Sequence, residues 1–149
     1  LEIISAVKED IQTLNTISIE SKMHWNYPRD WLDHWIDELT ITKEYLDQHS
    51  VYKLIVGGKI IGFCAIEEHP EAYEISHLWI LPAYMRRGYG KKLLSESLNC
   101  SVDEKKDIIV VADPNAESFY ASQGFQTFDQ KPSYPEGRFL PVMRKSCSN

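Results

Sequence analysis

The spacing of apolar residues changes near residue 51, and that change limits the folds open to the chain. Before it the pattern is helical. Ile11, Leu14, Ile17 and Ile19 mark one face behind the acids Glu9 and Asp10, which suit a helix start. Trp31, Trp35 and Leu39 recur every fourth residue, with Leu32 and Ile36 beside them and Pro28 placed to open the helix. Residues 2–6 predict a short strand, and 42–49 a short third helix or turn. From Val51 the pattern is extended. Residues 51–56 and 59–67 flank Gly57-Gly58, a two-residue hairpin signal because both positions accept φ > 0. A polar loop around Pro70 leads to a strand over 73–81 that stops at Pro82.

Beyond Pro82 helix and strand alternate. Leu93, Leu94 and Leu98 predict a helix over 88–100. Ile108 to Val111 is a continuous apolar run, expected to be a strand buried on both faces. Asp113-Pro114 reads as an N-cap followed by proline at the first helical position, and Gly124 as the stop. Residues 125–128 and 139–144 predict the last strands. The order β-α-α-β-β-β-α-β-α-β-β predicts an α/β sandwich with a mixed sheet. At 149 residues, with no internal repeat or linker, it fits one domain over 1–149.

Composition excludes several classes. The net charge of −6 argues against a nucleic-acid partner. It is concentrated in residues 1–50, which hold ten acids against four bases, while the rest is balanced. No apolar run approaches the ~20 residues of a membrane-spanning helix. Cys64, Cys100 and Cys147 are widely spaced and show no metal-binding pattern, so reduced thiols and no metal are expected. The first residues lack the basic and apolar regions of a secretory signal, and a cytoplasmic location follows as an expectation.

The segment most suggestive of chemistry runs from Leu81 to Leu94. A strand enters a glycine-bearing loop and then a helix, a junction whose free N–H groups and positive dipole end suit phosphate. Gly88 and Gly90 permit close backbone approach. Arg86, Arg87, Lys91 and Lys92 add positive charge to an acidic protein. An isolated GxG is more often an ordinary solvated loop. A Walker A loop is excluded, since Lys92 follows Gly90-Lys91 and Met85 stands where the first glycine belongs. The dinucleotide fingerprint is excluded by Leu93 in place of its third glycine.

Met85-Arg86-Arg87-Gly88-Tyr89-Gly90 resembles the (Q/R)xxGxG acyl-CoA pyrophosphate loop of the GNAT superfamily of N-acetyltransferases. Ala116-Glu117-Ser118-Phe119-Tyr120 with Gly124-Phe125 resembles that family's downstream A-x-x-F-Y…G-F signature. Gly137 to Met143 resembles the last strand of some small members. The match is strong over residues 74–145; residues 1–73 agree in element order alone. The resemblance implies a three-layer α/β/α sandwich around a mixed, mostly antiparallel sheet. Residues 1–50 would form the acceptor side and 51–145 the acyl-CoA core.

It also implies acetyl transfer from acetyl-CoA to an amine in a ternary complex, with a small-molecule or peptide acceptor. Arg86, Arg87, Gly88, Tyr89, Gly90 and Lys91 would hold the diphosphate. Backbone at Leu78, Trp79 and Ile80 would meet the pantetheine and polarise the carbonyl, and Asn115 is a further candidate for that arm. Tyr120 would protonate the leaving thiolate, though from pattern alone it reads as a core aromatic. Glu74 and His77 are the two candidates for the base. Strand alternation puts them on opposite faces unless a bulge intervenes. His24, Trp25 and Tyr27 would wall the acceptor pocket, or staple their loop to the core.

Two departures stand out. Met85 replaces the usual Gln or Arg, shifting phosphate contact toward Arg86 and Arg87. Asp113 replaces a common Asn and reads best as a helix N-cap. A non-catalytic acyl-CoA-binding module and a nucleotide-binding domain remain the alternatives. Exposed C-terminal edge strands leave a homodimer open.

Overall fold

The structure, a computed structural model, describes residues 1–147. The elements are β1 (Glu2–Ser5), α1 (Ile11–Met23), α2 (Arg29–Leu39), α3 (Lys43–Gln48), β2 (Ser50–Val56), β3 (Lys59–Glu68), β4 (Ala72–Ile80), α4 (Tyr89–Ser101), β5 (Asp107–Val111), α5 (Glu117–Ser122), β6 (Gln126–Ser133) and β7 (Arg138–Lys145). The seven strands form one sheet in the order β1-β2-β3-β4-β5-β7-β6. Among the described residues β4 with β5 is the single parallel pair, and every other pair is antiparallel. No helix among the described residues is long and apolar enough to cross a membrane.

Helices cover both faces. Phe63, Ala65, His77 and Trp79 share one face by their pairing, and Tyr45 of α3 and Lys22 of α1 reach it. Cys64, Leu78 and Ile80 share the other, where Tyr52 bonds Ser101 at the end of α4 and Gly90 lies against Ile80 and Phe119. Three layers follow, with Phe63, Cys64, Leu54, Ile61 and Leu93 fully buried among them.

Local chemistry explains the boundaries. Thr42 caps α3 by accepting from Tyr45 N at 3.1 Å, and Asp113 caps the turn Pro114–Ala116 through Asn115 N at 2.9 Å. Gly57 and Gly58 both take positive φ in the β2–β3 turn. Gly62 is required for another reason: a Cβ there would lie 2.6 Å from the Trp79 carbonyl oxygen.

The structure corrects three expectations. Only Val110 of the run Ile108 to Val111 is fully buried, because β5 borders an open cleft. β6 extends to Ser133, well past residue 128, and is an exposed sheet edge. The buried stripe of α1 is Leu14, Ile17, Ser18, Ser21 and Lys22, so helical spacing holds but its second half is polar and Ile19 is off it. Those serines are satisfied: Ser18 donates to Leu39 O at 2.7 Å and Ser21 to Ile80 O at 3.0 Å.

Candidate active site

Pairing of β4 with β5 runs from Ala72↔Asp107 to Ile75↔Val110 and stops there. β4 continues to Ile80 with no strand on that side. The separation begins at a bulge: Ile66 pairs Ile75 and Ala65 pairs His77, so Ser76 is the extra residue. The opened strands flank a cavity of about 740 Å³, within the usual size of ligand sites. Leu78, Trp79 and Ile80 line it, and with no neighbouring strand their polar backbone edge faces the gap.

The glycine loop closes one end. Pro82–Tyr84 forms a 3-10 turn, after which Arg86 and Gly88 take φ of +63° and +83°. Gly88 is the N-cap of α4, whose first turn contains no acid. Lys92 N bonds Gly88 O at 3.2 Å, leaving the N–H groups of Tyr89, Gly90 and Lys91 without acceptors inside the helix. Nothing lies within 4 Å of where a Gly88 Cβ would stand. A thirteen-residue helix with a free, glycine-bared N-terminus fits a diphosphate. Arg86, Gly88, Gly90 and Lys91 are on the cavity wall. Arg87 is not; its guanidinium lies 5.8 Å from the Tyr84 ring centre. The Tyr89 side chain packs toward Tyr84 instead.

Tyr120 lines the same cavity from α5. Its ring is 5% exposed, edge-on to Phe119 and Phe125. Its hydroxyl has no hydrogen-bond partner among the described residues, and burial holds its pKa far above the ordinary phenol value. It is therefore a proton donor at any physiological pH.

The bulge reverses the expected relation of Glu74 and His77. Glu74 pairs Glu67 and His77 pairs Ala65, so both side chains sit on one face. Only His77 lines the cavity. Glu74 is bonded to His69 Nε2 at 2.9 Å. Burial pushes His77 down to about 4, only partly offset by Glu67, so the ring is neutral. Trp79 Nε1 donates to His77 Nδ1 at 3.1 Å, which leaves the proton on Nε2.

Side chains distant in sequence gather around Lys22 and Asp113, which line the cavity; Tyr27, expected on the acceptor wall, packs behind them with Trp35 and Arg138 and is not on the wall. Trp25 lines the cavity at 36% exposure, with the exposed His24 edge-on to it at 4.7 Å and off the wall. Tyr27 donates its hydroxyl proton to Asp113, with oxygens 3.0 and 3.1 Å apart. Asp113 also accepts from Lys22 Nζ at 2.5 Å and from Asn115 Nδ2 at 2.9 Å. Arg138 of β7 donates to Tyr27 at 3.2 Å. The Trp35 ring lies 4.6 Å from both Lys22 Nζ and the Arg138 guanidinium carbon. Burial raises the Asp113 pKa, but the charge and hydrogen bond of Lys22 and the bonds from Asn115 and Tyr27 outweigh it, leaving it below the ordinary carboxylate value. Burial dominates at Lys22, whose pKa falls despite Asp113. Asn115, a candidate for the cofactor arm, spends its amide on Tyr27 and Asp113 although it borders the cavity.

From sequence Trp35 is only an apolar helix position, and neither Lys22 nor Arg138 is marked as functional. The continued helical spacing through Ser18, Ser21 and Lys22 was the available signal; nothing local marks Arg138.

This fold and cleft have known counterparts. A family model described as an acetyltransferase (GNAT) domain matches residues 10–147, and the chain belongs to that family. An uncharacterized N-acetyltransferase of Staphylococcus epidermidis is 34% identical over 102 residues, covering 61% of this chain and 66% of the relative. The match thus spans just under two thirds of the curated relative's length. Among solved structures, the PaiA N-acetyltransferase of Thermoplasma acidophilum, in complex with coenzyme A, superposes with a TM-score of 0.82 at 20% identity over 97% of this chain and 98% of that one. An aminoglycoside 6'-N-acetyltransferase complexed with coenzyme A gives 0.73 at 12% identity, over 100% and 98%. At such identities the likeness establishes the fold.

Proposed function

We propose that the chain transfers an acetyl group from acetyl-CoA to a primary amine of a small molecule or peptide, by direct attack with both substrates in the cleft. One observation carries the reading. The unpaired edge of β4, the free N-terminus of α4 and the protonated phenol of Tyr120 line a single cavity. The two coenzyme A-bound neighbours with this fold support it.

The N–H groups opening α4 bind the diphosphate, with Arg86 and Lys91 beside them. Backbone groups at Leu78 to Ile80 pair with the amides of the pantetheine arm, and an N–H there polarises the thioester carbonyl. Acetyl-CoA supplies the activated carbonyl and a leaving thiolate. Tyr120 protonates that thiolate. The attacking amine must first lose a proton, since its free pKa is near ~10.4. His77 donates from Nε2 and is poorly placed to accept. Glu74 can act only through water. Glu38, exposed on the cavity wall, gives the released proton a route to solvent.

Thiol release from acetyl-CoA, measured over a panel of primary amines, tests this. Turnover is expected, falling about 100-fold in Tyr120→Phe, while stability stays within ~1 kcal/mol because no partner of the hydroxyl is lost. Binding of coenzyme A with no turnover on any amine would instead leave an acyl-CoA-binding module.

A further inference from the structure

We infer that the amine acceptor carries a carboxylate, received in the cleft by Lys22 with Arg138 behind it; this rests on the acetyl-transfer reading above. The argument is a balance of donors and acceptors. Lys22 lines the cavity, and its side chain is 10% exposed. An ammonium only donates. Among the described residues its sole hydrogen-bond acceptor is Asp113 Oδ2. Around it stand the rings of Trp35, Tyr27 and Trp79, at 4.6, 5.1 and 6.0 Å. Those faces attract a cation but take no conventional hydrogen bond.

Arg138 adds a second buried cation, 12% exposed and 3.9 Å from Asp113. It donates to the hydroxyls of Ser133 and Tyr27. Both cations lie 4.6 Å from the ring of Trp35, which is 3% exposed; Trp35 and Arg138 stand behind the cavity wall, and Lys22 is the cation on it. Asp113 cannot serve them all. Its oxygens already accept from Lys22, Tyr27, the Asn115 amide nitrogen and the Asn115 side chain. That uses the roughly four lone-pair sites of a carboxylate.

Two buried cations therefore face one saturated anion, and donors exceed acceptors. Glu38, the other acid on this wall, is exposed; its charge favours the Lys22 ammonium, but it supplies no hydrogen bond to it. Buried donors left unpaired are costly, and buried charge is normally matched. A ligand carboxylate supplies both the missing acceptor and the missing charge, through charge-assisted bonds. A polyamine or plain alkylamine supplies neither and adds like charge. The acidic excess of residues 1–50 suggests a cationic acceptor; the local chemistry at Lys22 overrides it, since whole-chain charge steers encounter and does not select the bound group.

The test uses pairs of amines differing only in the carboxylate: L-lysine against cadaverine, and L-ornithine against putrescine. Calorimetry with coenzyme A present reads binding without turnover; thiol release reads kcat/KM. The carboxylate-bearing member is expected to be preferred by at least ~10-fold, because a site with buried donors rejects an analogue lacking their partner. Lys22→Met should abolish that preference and Lys22→Arg should keep it. If Lys22→Met fails to fold, the wild-type comparison decides. Preference for the diamines, no preference, or no binding of any of the four overturns the inference. Turnover of the diamines alone overturns it while leaving the acetyl-transfer reading intact.

Discussion

At the glycine-loop end of the cleft, the groups poised to meet a ligand are main-chain N–H and C=O; at the Lys22 end they are side chains, Lys22 and Asp113 on the wall with Tyr27 and Arg138 bonded behind them. The first end needs geometry: an interrupted strand pairing and a helix start bared by Gly88. Many side chains would serve there, as Met85 at the usual Gln or Arg position illustrates. The second end needs particular chemistry, because each group completes the valence of another. The same cleft should therefore tolerate substitution unevenly, and three measurements would break or sharpen that contrast.

The largest effect is expected at Asp113. Asp113→Ala leaves the Lys22 ammonium buried without its anion and removes an N-cap, and should cost about 3 kcal/mol or more in chemical denaturation. Arg87→Ala at the other end should stay within ~0.5 kcal/mol. Equal costs for the two would end the contrast.

Next comes His77. Its folded pKa, about 4, lies below the ordinary 6.5, so between these values the unfolded chain binds a proton that the folded chain refuses. Stability should be full above pH ~6.5 and fall as pH drops toward ~4, by at most roughly 3 kcal/mol at 1.36 kcal/mol per pH unit. Denaturation of wild type and His77→Gln at pH 7 and pH 4.5 isolates this; an identical loss in both would remove His77 as its source. Of the three sites expected to lose stability, Gly88 loses least. Gly88→Ala places a Cβ on a backbone at φ +83° and should cost about 1 kcal/mol. Affinity for coenzyme A, read by calorimetry, should fall as well; unchanged affinity would separate the loop from the ligand.

The same asymmetry explains what could be read from the sequence. Element order, the Gly57-Gly58 turn, the Asp113 cap and the strand–loop–helix at Gly88 are local, and each follows from a few adjacent residues. Tyr120 needed a family motif, because pattern alone makes it a core aromatic. The charged cluster was not legible: Lys22 and Asp113 are 91 positions apart, and Tyr27 and Arg138 are 111 apart. Spacing carries no information about such pairs. The polar half of the α1 stripe was hidden because apolar periodicity looks past Ser18, Ser21 and Lys22. The relation of Glu74 to His77 depended on a bulge that no residue type announces.

That bulge has a further consequence. At Ser76 the strand behaves as two ribbons joined out of phase. Deleting one residue there and restoring plain pairing would turn either Tyr73 and Ile75 or His77 and Trp79 through the sheet, exchanging one layer's contents for the other's. The layout of the cleft is thus written in a count of residues more than in their kinds, and length changes, not replacements, are the edits this strand can least absorb.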